Sequence, residues 1–323
     1  MSRSHWTMLC LALLAAIALA LAIGTIGYTP ADTWRALTGQ ADATTTLVIR
    51  ELRLRRTILA ALLGAGLGIS GAALQGVLRN ALAEPYLLGV SGGAAVGAVL
   101  AVVAGMSYAF VPIAAFAGAA LAVALALFVA HAAHGRADPR VLIMAGVVVG
   151  AFANAAIMIL LANASESRVR GAVWWMMGSV ADARWSETAW LGLYVVVGGA
   201  VLVTTARSLD AIALGEDSAA GLGVDVDRVS RRIYLTASLV AAATVAAAGL
   251  VGFVGLVVPH IVRRIGASGH RTLLVASALM GALLTVLADI VARAAMPPTE
   301  LPLGAITAVV GVPFFLATLR RLT

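Results

Sequence analysis

"IYLTASLVAAATVAAAGLVGFVGLVVPHIV", Ile233 to Val262, runs for 30 residues without Asp, Glu, Lys or Arg. A helix needs about 20 apolar residues to cross the ~30 Å of hydrocarbon in a bilayer. The stretch is therefore too long for one straight crossing and too short for two full ones. Its glycines at 249, 252 and 255 and the proline at 259 place a tight turn near Gly249 to Gly252. A short helix that does not cross the whole bilayer follows. Backbone groups freed by such an interruption cannot face lipid, so protein or water must lie beside it. Segments of this kind border transport paths.

Apolar runs of similar quality recur on both sides of this stretch. The expected spans are 8–27, 57–77, 87–105, 108–130, 141–162, 187–206, 233–249, 252–264, 272–293 and 303–319. The composition agrees: 62% of the 323 residues are hydrophobic and 11% are charged, against about 25% charged in an ordinary soluble domain. The fold class is an all-α membrane protein of about ten transmembrane helices, including one short helix. A β-barrel would need alternating strands of about ten residues, and none is present. The run from Met8 to about Gly27 exceeds the 7–15 apolar residues of a signal core and reads as a retained first span.

The net charge is +7, and every basic residue is arginine. The arginines lie between apolar runs rather than on one soluble face, which argues against nucleic acid as a partner. The single Cys10 leaves no internal disulfide or cysteine metal site. With the amino terminus inside, arginines 3, 79, 136, 140, 207, 228, 231, 232, 263, 264, 271, 320 and 321 are cytoplasmic, and 35, 50, 53, 55, 56, 168, 170, 184 and 293 lie outside. The positive-inside rule favours this orientation weakly. The main exception is "RELRLRR", Arg50 to Arg56, which an acidic partner or lipid headgroup should meet.

Catalytic signatures are absent. There is no GxxxxGK[ST] phosphate loop and no HExxH pair, so no ATP site or zinc-hydrolase centre of those kinds is expected. His131 and His134 could clip a metal at i, i+3, but they read as the polar end of a span. Asp289 is the clearest carboxylate at membrane depth. Its burial costs at least ~2.5 kcal/mol on insertion scales, and Arg293 on the same helix face is its expected partner. Gly64, Gly68 and Gly71 share a face and read as close helix packing. Trp174, Trp175 and Trp185 suit an interfacial belt. "LRNALAEPYLLGVSGGAAVG", residues 78–97, reads as a re-entrant turn, or as a constriction where two copies of the loop meet.

The stretches "LRLRRTILAALLGAGLGISGAALQGVLRNALAEPYLLGVSGGAAVGA", "WWMMGSVADARW", "LGEDSAAGLGV", "AAAGLVGFVGLVVPHIVRRIG" and "ADIVARAAMPPTELPLGAITAVVGVPFF" occur here in the order found in FecCD-type permeases. The chain resembles that family from about residue 50 onward. These are the membrane subunits of bacterial ATP-driven importers for haem, ferric siderophores and vitamin B12.

The resemblance implies a single permease domain over 1–323 with ten helices per subunit. Two copies form a homodimer with a pathway along their interface, bordered by spans five, eight and ten. It further implies a bacterial inner-membrane location, multi-pass, with both termini cytoplasmic. A cytoplasmic coupling helix pair, at about 208–232, would dock two ATP-binding cassette subunits, which carry the ATP and Mg. Its docking residues are Leu214, Gly215, Glu216, Asp217, Ala219, Ala220, Leu222 and Gly223. A periplasmic short helix is expected at about 170–186. Arg53, Arg56 and Arg293 match arginines that meet acidic residues of a periplasmic binding protein. Asn80 and Leu82 match the cytoplasmic gate. Arg55 and Ala81 stand where relatives carry proline.

On this view the chain catalyses nothing and binds no cofactor of its own. Its partners are the second copy, the ATPase pair, the binding protein and membrane lipid. Haem ranks first among cargoes, then ferric siderophore, then vitamin B12. An ion-coupled secondary transporter is the rival class. Such a transporter would normally need more ionisable groups at membrane depth.

Overall fold

The computed structural model describes residues 1–24, 26–134, 139–297 and 299–319, with side chains at 133, 134, 139, 140, 318 and 319 left aside. Arg136, Arg320, Arg321, the Arg140 side chain and the His134 side chain therefore lie outside the described residues. Among the described residues there is helix and turn but no strand.

All ten expected spans are helices: α1 (Arg3–Ala22), α4 (Arg55–Val77), α5 (Val90–Val103), α6 (Val111–His134), α7 (Pro139–Ala162), α9 (Trp185–Thr204), α12 (Val226–Ala248), α13 (Val254–Arg264), α14 (His270–Ala294) and α15 (Leu303–Leu319). Short helices fill the connections: α2 (Pro30–Thr38), α3 (Ala43–Thr46), α8 (Glu166–Met176), α10 (Ala206–Ala213) and α11 (Glu216–Gly221). Among the described residues, six helical stretches are long and apolar enough to cross a membrane. The other four spans are α5, α12, α13 and α15. α12 begins with the charged residues Asp227, Arg228, Arg231 and Arg232.

The awkward 30 residues resolve as expected. α12 stops at Gly249, which has φ 72°. A side chain there would strike the Trp175 carbonyl, so only glycine suits both the backbone angle and the close approach. α13 then has 11 residues, about 16 Å at 1.5 Å per residue, roughly half the hydrocarbon thickness. A second short span was not expected. α5 has 14 residues rather than the 19 of 87–105, because Pro85–Leu88 forms a separate 3-10 turn. Pro85 and Leu88 of that turn are buried. Pro85 packs beside Gly255, whose carbonyl abuts Gly71 in the body of α4.

α4 is the central helix, packed against α14, α12, α13 and α9. The glycine face read from the sequence makes this possible. A methyl on Gly64 would strike the Gly281 carbonyl, one on Gly68 the Ser277 carbonyl, and one on Gly71 the Gly255 carbonyl. Backbones this close gain dispersion contacts that lipid does not offer. Thr285 of α14 also donates to the Ala60 carbonyl of α4 at 2.6 Å. Such interhelical bonds average about 0.6 kcal/mol.

The segment before α4 is helical without a break from Ala43 to Val77, with a π-helical run at Leu47–Leu54. Arg55 explains part of this continuity. Its N–H bonds the Leu52 carbonyl, which proline could not do. The expected short helix at about 170–186 is displaced toward the amino terminus: α8 ends at Met176, and Gly178 at φ 74° turns the chain. α2 is closed by a reciprocal cap between Thr29 and Asp32, with Pro30 at its start. The Thr29 hydroxyl and N–H hold the Asp32 carboxyl below the ordinary carboxylate range.

Candidate functional site

Charged and polar side chains gather at two opposite ends of the bundle. At one end α1 finishes, and its last carbonyls lack intrahelical partners. Two arginines supply donors. Arg53 Nη1 donates to Leu21 and Ala22, both at 2.8 Å, and Nη2 donates to the Ile26 carbonyl. Arg293 donates from Nη2 to Ala20 at 3.1 Å and from Nη1 to Ile23 at 3.2 Å. Positive charge at a helix C-terminus is favourable.

Arg56 completes this cluster. Its Nε donates to Asp289 Oδ1 at 2.8 Å, and its Nη1 donates to both Glu300 oxygens at 2.9 Å. Arg293 Nε lies 3.2 Å from Asp289 Oδ2. Asp289 therefore has the expected i, i+4 partner and a second arginine from α4 that the sequence did not reveal. Exposure is 6% for Arg53, 8% for Arg56, 7% for Arg293 and 1% for Asp289.

The docking expectation is corrected in one respect. The three arginines do converge, but their guanidinium groups point inward onto α1, Asp289 and Glu300 rather than presenting free charge. Glu300 is the accessible member, with a side chain 42% exposed. Beside it lies a cavity of about 430 Å³ lined in part by Trp174, Trp175, Asp182, Arg184, Glu187 and Glu300. Trp185 donates to Glu51 at 3.0 Å, joining α9 to the π-helical run.

The opposite end carries α10 and α11. Gly215 at φ 113° starts α11, and Gly223 at φ 82° closes the turn after it. Leu214 and Leu222 project on either side of this helix, 71% and 67% exposed. Glu216, Asp217, Ala220 and Gly223 are also exposed, and Gly215 is half-buried. Ala219 is the exception, fully buried at 0%. It faces the bundle, so it is removed from the set of docking contacts.

The loop after α4 links this end to the interior. Asn80 Oδ1 accepts from the Leu82 N–H at 2.9 Å, and Leu82 itself is exposed. Farther along, Glu84 Oε1 accepts from the Phe253 N–H at 2.8 Å. Tyr86 Oη donates to the Val251 carbonyl and accepts from the Val251 N–H, both at 3.0 Å. Phe253 has φ 67°, a strained setting for a non-glycine residue. Gln75 Nε2 donates to Leu256 at 3.2 Å, and Arg263 Nη1 donates to Gln75 Oε1 at 2.6 Å. Sequence reasoning missed Glu84, Tyr86, Gln75 and Arg263. A signal was present: neither Phe253, the N-cap of α13, nor Gly269, the N-cap of α14, makes a side-chain cap.

His131 is exposed. Among the described residues no three His, Cys, Asp or Glu side chains are grouped to hold a metal.

Comparison with known proteins gives a consistent picture. A family model described as the FecCD transport family matches residues 12–321. The chain is 44% identical over 278 residues to the cobalamin import system permease protein BtuC of Halobacterium salinarum, covering 86% of this chain and 74% of that one. It is 37% identical over 275 residues to the Fe(3+)-citrate import system permease protein YfmE of Bacillus subtilis, covering 84% and 82%. A solved structure described as an inward-facing ABC transporter of metal-chelate type superposes with a TM-score of 0.90 at 27% identity, covering 99% of this chain and all of that one.

Proposed function

The chain belongs to the FecCD transport family, and on that premise we propose that it works as one half of a homodimeric permease. It moves a bulky metal chelate from a periplasmic binding protein to the cytoplasm. The pathway runs between the two copies, bordered by α7, α13 and α15. The chain lies in the bacterial inner membrane with both termini cytoplasmic. Energy comes from two ATP-binding cassette subunits, which hold the ATP and Mg. The chain binds no cofactor of its own.

One observation carries this reading: a short helix, α11, flanked by two projecting leucines, at the opposite end of the bundle from the buried arginine cluster. An exposed leucine pair has no use in water but fits a groove on a soluble ATPase. Leu214, Gly215, Glu216, Asp217, Ala220, Leu222 and Gly223 form that docking surface. Exposed apolar side chains on α7, such as Val148, Phe152 and Ile159, and Val309 on α15 leave ample surface for lipid and for a second copy. Asn80 and Leu82 form the cytoplasmic gate.

At the other end the binding protein docks with acidic residues. Glu300 already occupies Arg56, so an incoming carboxylate exchanges with Glu300. Arg53 and Arg293 contribute field rather than direct contact. Rim pairs of this kind govern orientation and on-rate more than affinity.

Cobalamin takes first place among cargoes, since a 44% identical relative is named for it. Haem and ferric siderophores follow. The decisive test is reconstitution of this chain with its ATPase and binding protein in vesicles, with labelled cobalamin, haem and ferric siderophore offered in parallel. ATP-dependent accumulation of one cargo supports the reading. Accumulation driven by an ion gradient without the ATPase would replace it with secondary transport.

A further inference from the structure

α14 begins at His270 with Gly269 in the N-cap position and no side-chain cap of its own. The first N–H groups of a helix lack intrahelical acceptors and carry partial positive charge. Here the acceptor comes from α10. Asp210 Oδ1 accepts from the His270 N–H at 3.0 Å and lies 2.7 Å from His270 Nδ1. The imidazole in turn lies over Gly76 near the end of α4. A methyl on Gly76 would sit 2.9 Å from His270 Nε2 and 3.2 Å from a Leu209 methyl. Asp210 and His270 thus tie α10 to the start of α14 and press both against α4.

A second charged link lies nearby. Arg79 Nη2 donates to Glu216 Oε1 at 3.0 Å, joining the residue just beyond α4 to the first residue of α11. Arg79 is fixed at φ 47°, and its N–H bonds the Gly76 carbonyl at 3.2 Å. The link therefore leaves from a constrained point of backbone. α10 holds α14, and α11 holds the end of α4.

α4 and α14 are themselves locked together along their length. Glycine faces glycine at 64 and 281, Thr285 bonds Ala60, and Arg56 pairs with Asp289 at the far end. Two helices joined in this way shift as one body, because packed interiors transmit displacement rather than absorb it.

We propose that Asp210–His270 and Arg79–Glu216 are the joints through which displacement of α10 and α11 moves the α4–α14 pair. Asp210 and His270 are positioning residues. They touch neither nucleotide nor cargo, and they convert ATPase movement into movement of the pathway. The proposal rests on the importer reading given above.

The test uses the complete reconstituted transporter and measures two quantities in the same vesicles: ATP hydrolysed and labelled cobalamin accumulated. D210N keeps an Oδ1 acceptor for His270, whereas D210A has none. D210A is expected to assemble and hydrolyse ATP at a near-normal rate while transport per ATP falls about fivefold or more. D210N is expected to retain most of the coupling. Independently, R79E should lower transport per ATP, and R79K, which keeps a cationic donor for Glu216, should retain most of it. This second arm decides the matter if D210A fails to assemble. Unchanged transport per ATP in D210A, equal loss in D210A and D210N, or equal loss in R79E and R79K would each overturn the proposal. Loss of ATP-driven accumulation of every cargo by the unaltered transporter would instead remove the importer reading, and the joints with it.

Discussion

Arg56 of α4 and Asp289 of α14 meet at 2.8 Å with the carboxylate 1% exposed. Their positions differ by 233 in the chain. Burying such a pair is costly, yet removing one partner is worse, because the other charge remains buried and unmatched. Asp289→Ala leaves Arg293 in that condition and Arg56 with the half-exposed Glu300 as its one carboxylate. The expected loss is about 3–5 kcal/mol, read as a lower unfolding midpoint in detergent. The double variant Arg56→Met, Asp289→Leu should lose less than the single one. Equal losses would contradict the account of the pair.

Glu300 offers a separable test of docking. Its side chain is 42% exposed, so its bond to Arg56 adds little stability, roughly 0.2–1 kcal/mol at most. Glu300→Gln should leave folding almost unchanged. It should also tighten capture of the binding protein a few-fold, by removing the internal competitor for Arg56. Weaker or unaltered capture, measured by surface plasmon resonance on nanodiscs, would take Arg56 out of the docking interface.

Two glycines distinguish packing from mere helix propensity. Gly64→Ala drives a methyl into the Gly281 carbonyl and should cost about 1–3 kcal/mol. Gly192→Ala on α9 meets only a Leu62 methyl at 3.5 Å and should stabilise by about 0.5–1 kcal/mol through helix propensity. Thermal unfolding of the two variants side by side checks the sign of each.

Glu84 caps α13 from another part of the chain. Glu84→Ala leaves the Phe253 N–H without its acceptor and should cost about 0.5–2 kcal/mol, as for loss of a helix N-cap. Amide exchange at Phe253 should rise roughly tenfold. Glu84→Gln retains a carbonyl acceptor and should exchange nearly as slowly as the original. Equal exchange in all three forms would show that the contact holds nothing.

What could be read from the sequence follows the range of each interaction. Ten apolar runs gave ten helices, since crossing a bilayer is a local property of about 20 residues. The turn at Gly249 and the packing face at Gly64, Gly68 and Gly71 were legible for the same reason. Asp289–Arg293 was visible because helical geometry brings i and i+4 together. Arg56–Asp289, Asp210–His270 and Glu84–Phe253 were not, because each joins elements separated by at least 60 positions. The truncation of α5 escaped notice because its apolar composition continues into the turn that replaces its first residues. Arg53, Arg56 and Arg293 were legible as a group. Their inward direction depends on α1, whose frayed carbonyls leave no mark in the sequence.

That debt of α1 to Arg53 and Arg293 bears on how the protein is made. α1 leaves the ribosome before α14 and cannot have its end fully satisfied until residue 293, 273 positions beyond Ala20, has also been synthesised and inserted. Until then those carbonyls must find water at the lipid surface or a helper protein. The opening segment is therefore among the last parts of the molecule to settle.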